Sequence, residues 1–112
     1  MKRVGRVPRR MIEGGEHVRL RYPPYDVLVS MVDGTPCAIE DACNHAGASL
    51  AIGDRDESGR CVVCPVHGYV FDLRTGECVA PKGLCDAQRS FVARIEGEDV
   101  VVYDPVHIVI LP

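Results

Sequence analysis

Four side chains suited to a transition metal stand in two tight pairs. Cys43 and His45 lie in Cys43-Asn44-His45-Ala46-Gly47, and Cys64 and His67 in Cys64-Pro65-Val66-His67-Gly68. Thiolate and imidazole are ligands for both zinc and iron. One residue separates Cys43 from His45, which makes gripping a single tetrahedral ion awkward. The same spacing suits a binuclear centre, where neighbouring ligands go to neighbouring metals. A closed, redox-silent zinc module built from the same four residues is the competing arrangement. Cys61 and Cys64 also form a C-x-x-C, but positions three apart on an extended strand face opposite sides, so Cys61 reads as a core residue and not a ligand. Cys37, Cys78 and Cys85 join it as small buried hydrophobes. His17 and His107 stand alone, and a lone His is usually surface or satisfied core.

Strands must position these pairs. Val18-Arg19-Leu20-Arg21-Tyr22 alternates apolar and basic residues, as a half-buried strand does. The apolar run from Val27 to Val32 ends at Asp33-Gly34, a hairpin signal, and Cys37-Ala38-Ile39 returns toward the first pair. Residues 54–59 are polar and end in Gly, which predicts an exposed hairpin tip with no core residue. Cys61 to Cys64 then runs as a strand into the second pair. Tyr69 to Asp72 and Glu77 to Ala80 flank a turn at Arg74-Thr75-Gly76, and Phe91 to Ile95 pairs with Val100 to Tyr103 across residues 96–99. Apolar residues nowhere hold a helical spacing over a dozen positions; Leu84 to Gln88 allows a single turn. The fold class is all-β. The apolar tail from Val106 to Leu111 reads as an extra strand on the main sheet or as a subunit contact.

A chain of 112 residues is one domain with one modest core. No apolar run approaches a membrane span, and the basic N-terminus lacks the apolar stretch of a secretory signal, so a cytoplasmic protein is expected. That setting also argues against a disulfide framework for the six cysteines. Residues 1–21 hold seven basic side chains against two acidic ones, although the whole chain carries a net charge of −3. The remainder is therefore strongly acidic: solvated surface, or a face that steers the protein toward a basic partner. Nucleic acid is not indicated, because the basic stretch is short and has no stacking aromatics.

At the two ligand pairs the chain resembles a small Rieske ferredoxin of the kind that feeds electrons to ring-hydroxylating dioxygenases. The family pattern is C-x-H followed, some fifteen to twenty residues on, by C-x-x-H. Residues 46–63 fill that gap here. Gly47, Leu50, Gly53, Pro65, Gly68, Phe71-Asp72, Thr75-Gly76 and Pro81 extend the match.

The resemblance implies a Rieske fold over 1–112: an antiparallel basal sandwich or barrel with an inserted cluster-binding subdomain at about 43–81. It implies one [2Fe–2S] cluster per chain, with Cys43 and Cys64 on the buried iron and His45 and His67 on the outer one. Gly47 and Gly68 would turn the loops and bring backbone N–H groups near the sulfurs, while Pro81 would lie in a third loop over the cluster.

No catalytic residue is expected. The function implied is one-electron transfer from a flavin-dependent reductase to a terminal oxygenase. A Rieske small subunit held permanently in a larger, nitrite reductase-like oxidoreductase is the alternative. The family's high-potential members carry a loop disulfide and hydroxyl donors. The disulfide positions here are Ala48 and Val66, and the Ser and Tyr positions are Tyr69 and Phe71. Fewer donors stabilise the reduced cluster less, so the potential is expected at the low end of the range, about −150 mV.

Overall fold

The computed structural model describes residues 1–44, 47–83 and 85–106. Among them the strands are β1 (Lys2–Pro8), β2 (Val18–Leu20), β3 (Val27–Val32), β4 (Thr35–Glu40), β5 (Cys61–Val63), β6 (Val70–Asp72), β7 (Cys78–Ala80), β8 (Ser90–Glu96) and β9 (Asp99–Asp104). Helix among the described residues is limited to 3₁₀ turns at Arg9–Met11 and Leu50–Ile52, so the chain is nearly all-β. Among the described residues no helix is long and apolar enough to cross a membrane.

Six strands pair antiparallel in the order β1-β9-β8-β4-β3-β2, and β5-β6-β7 form a second sheet. The large sheet curls until its edge strands touch: a Cβ on Gly5 would lie 3.1 Å from Leu20 Cδ1. A register shift between Arg3 and Gly5 helps to bend β1 there, as bulges do. The result is barrel-like. The surroundings of strand β3 explain why its sequence is an apolar run, broken only by Ser30, and not an alternation. Val27 and Val29 face a core with Val7, Ile12, Ala38, Val100 and Val102, whereas Leu28 and Val32 face a second core. Both sides of the strand are covered, so both must be apolar. Asp33 (φ 49°) and Gly34 (φ 77°) make the two-residue turn to β4, both in the left-handed region such hairpins need.

The small sheet is an insertion between two neighbours of the large one. Ile39 on β4 pairs with Ser90 on β8, and Glu40 N–H donates to the Arg89 carbonyl at 2.7 Å. Residues 41–89 therefore leave and rejoin the barrel at one corner.

Four sequence expectations change. Strand β1 was read only as a basic stretch, because Gly5 and the bulge break its alternation. Strand β2 stops at Leu20, since Tyr22 is drawn into a turn by N–H donation to Asp26 Oδ1 at 2.8 Å. The 54–59 segment does contain an inward residue. Arg55 Nη1 donates to the Met31 carbonyl at 2.7 Å and the Gly59 carbonyl at 3.1 Å. Its apolar stem can lie over the core edge while the fork finds acceptors. Finally, Cys85 to Gln88 is irregular, not helical, and Leu84 lies outside the described residues. The tail beyond Val106, with His107, also lies outside them.

Candidate metal centre

The two Cys/His loops share one backbone frame. Cys43 N–H donates to the Ala48 carbonyl at 2.8 Å, and Gly47 N–H donates back to the Cys43 carbonyl at 2.6 Å. In the second loop Cys64 N–H donates to the Tyr69 carbonyl at 2.7 Å, and Gly68 N–H to the Cys64 carbonyl at 3.0 Å. Each loop thus begins at its Cys and has a left-handed glycine four residues later, with φ 73° at Gly47 and 74° at Gly68. A Cβ would meet nothing within 4 Å at either glycine, so backbone conformation alone selects Gly there. Each of these two glycines donates its own N–H to the carbonyl of the loop's Cys. Only the His differs in position, second after Cys43 and third after Cys64.

Burial divides the donors. Cys43 and Cys64 are each 1% exposed, in one core with Leu50, Val62, Phe71 and Leu73. His67 is exposed, next to Val66 at 53% exposure. His45 lies outside the described residues. Ile52, 75% exposed, follows the Leu50 turn that is pressed onto β5; a Cβ on Gly53 would lie 2.1 Å from the Val63 carbonyl oxygen. Sulfur donors on a dry apolar floor and an imidazole at the surface fit a half-buried iron–sulfur cluster.

The other thiols do not share this role. Burial pushes the Cys37 and Cys61 thiols above their ordinary range. Burial, with Cys78 beside it, pushes Cys85 up to about 11. Such thiols stay protonated at neutral pH, as small hydrophobes do, and none of the six cysteines forms a disulfide.

Two polar residues that sequence reasoning passed over brace the loops from behind. Asp41, 1% exposed, accepts from Ser49 Oγ at 2.6 Å and from Ala51 N–H at 2.8 Å, closing the far side of the first loop. Gln88, 2% exposed, accepts from Asn44 N–H at 2.8 Å. Neither belongs to a periodic pattern. Asp41's place just before Cys43 was the only signal of either.

Residues 7–91 match the Rieske [2Fe-2S] domain family. The chain belongs to that family. This Rieske protein is 36% identical over 88 residues to the ferredoxin component of biphenyl 2,3-dioxygenase from Rhodococcus jostii (strain RHA1), covering 79% of each chain. Its fold matches the ferredoxin of Sphingomonas yanoikuyae B1 with a TM-score of 0.79 at 26% identity, covering 93% of this chain and 100% of that one. It also matches a chain in a complex of reduced oxygenase and oxidized ferredoxin in carbazole 1,9a-dioxygenase, with a TM-score of 0.75 at 25% identity over 96% of both chains. The Rieske cofactor is a [2Fe–2S] cluster. Phe71 is fully buried in the same core as the two cysteines.

Proposed function

We propose that this Rieske protein carries single electrons from a flavin-dependent reductase to a terminal oxygenase, in the cytoplasm, through one cluster held by Cys43, His45, Cys64 and His67. Residues 43–81 form the cluster-binding part of the single domain 1–112. The observation that carries this reading is the pair of matched loops with both Cys at 1% exposure and His67 at the surface. The ferredoxin relatives, and the neighbour from an oxygenase–ferredoxin complex, support the oxygenase as the acceptor.

Once bound, the cluster accepts and returns one electron without bonding to substrate. Cys43 and Cys64 would hold one iron as thiolates on an apolar floor. His45 and His67 would hold the other as neutral imidazoles, and replacing two thiolates by neutral ligands would make an added electron easier to accept. His67 is exposed, so a partner can approach it and the electron has a short path out. Exposed Val66 beside it, and Ile52 on the turn packed against β5, give a docking partner apolar surface to cover. No proton transfer or nucleophile is required, and the protein is a carrier, not a catalyst.

Phe71 has no hydroxyl to donate to the cluster, which supports a potential at the low end of the Rieske range, about −150 mV. Redox titration of the purified protein followed by EPR tests both statements. The reduced form gives a Rieske spectrum with low average g. A potential above about +100 mV belongs to hydrogen-bonded Rieske centres and would overturn the low-potential assignment. A colourless protein with zinc and no acid-labile sulfide would overturn the cluster itself.

A further inference from the structure

The side-chain amide of Gln88 is bonded on every side. Its Oε1 accepts from the backbone N–H of Asn44 at 2.8 Å and also from Asn44 Nδ2. Its Nε2 donates to the Glu40 carbonyl at 2.9 Å and the Ala42 carbonyl at 2.7 Å. Two lone pairs and two protons are thus used, as a buried amide requires. Its backbone is fixed as well: Gln88 N–H donates to the Gly76 carbonyl at 2.7 Å, and a Cβ on Gly76 would lie 2.1 Å from the Gln88 oxygen. One residue therefore joins the end of β4, the first ligand loop and the turn between β6 and β7.

The point of attachment is Asn44, the residue between Cys43 and His45. Asn44 is held by the same segment at its other atoms, with Nδ2 donating to the Asp86 carbonyl at 2.7 Å and Oδ1 accepting from Cys85 Sγ at 2.8 Å. The peptide N–H that follows Cys43 is thereby turned toward Gln88.

We infer that Gln88 is the positioning residue of the first cluster loop: by taking the Asn44 N–H it fixes the Cys43–Asn44 peptide and keeps that dipole off the cluster, lowering the reduction potential. The inference rests on Cys43 and His45 being ligands. It goes beyond that assignment in naming a residue outside the motif that sets the cluster's electronics. Without Gln88 the N–H loses its acceptor and water can enter behind the loop. Both bring positive dipole ends nearer the thiolate and stabilise the added electron.

Gln88→Met keeps length and approximate volume while deleting the amide, and Gln88→Asn keeps the amide but is one methylene too short to span Asn44 and β4. Val102→Ala, which opens a cavity in the barrel core away from the loops, is the stability control. Each variant is compared with the parent by redox titration and by EPR of the reduced holoprotein. The expected result is an upward shift of potential and broadened EPR lines in both Gln88 variants, with parental values in Val102→Ala. An unchanged or lowered potential in Gln88→Met, or the same shift in Val102→Ala, overturns the inference. If the ligand assignment itself were wrong, the parent would lack the Rieske signal, which is a different outcome.

Discussion

Arg55 Nε donates a hydrogen bond to His17 Nε2 across 3.1 Å, so the inserted segment is tied to the residues just before β2 through an imidazole that must be unprotonated at that nitrogen. The same guanidinium bonds the Met31 carbonyl on β3. It fastens the small sheet's hairpin to the barrel.

Acid should loosen this fastening. Burial, then the charge of Arg55, lowers the His17 pKa, and a hydrogen bond with the Ala51 backbone and the charges of Asp41 and Asp54 offset only part of that. The unfolded chain therefore takes up a proton at higher pH than the folded one. The stability due to neutral His17 is complete above its unfolded pKa of about 6.5 and is lost as pH falls from there through the folded pKa. Thermal unfolding from pH 7.5 to 5 should show a falling Tm, and His17→Gln should flatten that slope. An unaltered slope in the variant would show that other groups cause it.

Arg55→Met should cost about 1.5–3 kcal/mol in urea unfolding, the range for hydrogen bonds to a charged group. It removes bonds to His17, Met31 and Gly59, but it also removes a buried Nη2 that has no partner among the described residues. The second effect keeps the loss moderate. A variant as stable as the parent would mean that Arg55 does not fasten the insertion.

Alanine should be worst tolerated at two glycines outside the ligand loops. At Gly76 the backbone is left-handed (φ 82°) and a Cβ would lie 2.1 Å from the Gln88 carbonyl oxygen. At Gly53 the same distance separates it from the Val63 oxygen. Gly76→Ala and Gly53→Ala should lose bound iron, measured as iron per chain. Gly68→Ala, with open space but φ 74°, should cost only about 1–2 kcal/mol of stability and keep most of its iron.

His67→Cys, if it retains a cluster, adds a thiolate where a neutral imidazole stood. The potential should fall below the Rieske range toward the about −400 mV of plant-type ferredoxins. Electrochemistry on the reconstituted variant reads this directly, and a potential equal to the parent's would exclude His67 as a ligand.

Tyr22→Phe should destabilise the barrel end by about 1.5–3 kcal/mol, because Tyr22 OH donates to the buried Asp104 carboxylate at 2.6 Å. Burial pushes the Asp104 pKa up, but bonds from Tyr22, Val106 N–H and Arg89 more than offset it, and the net shift is downward. That contribution is present above the unfolded pKa of about 3.9 and is lost on acidification through the folded one. Guanidinium unfolding of the two proteins at pH 7 measures the difference.

What the sequence disclosed depended on how local the causes were. Asp33-Gly34 announced its hairpin because both turn residues need left-handed φ, and that preference belongs to the residues themselves. The two glycines four residues after Cys43 and Cys64 were visible for the same reason. Strand β1 was hidden because its partner, β9, lies at the other end of the chain and the bulge spoils its period. Arg55 and Gln88 were hidden more deeply. Each is a polar residue in a polar stretch, and its burial is decided by carbonyls that only the tertiary fold brings within reach.

The corner where residues 41–89 join the barrel makes the redox tip a cassette. Its two ends are held side by side by the Ile39–Ser90 pairing and the Glu40–Arg89 hydrogen bond, so its removal leaves no gap for the remaining strands to bridge. A transplanted tip would bring its own ligands, floor and brace, since Cys43, Cys64, Phe71 and Gln88 all lie inside the exchanged segment. The fastenings left to rebuild would include the one between Arg55 and the His17 and Met31 side of the barrel, and the packing of Leu28, Val32, Cys37 and Ile39 against the tip's core.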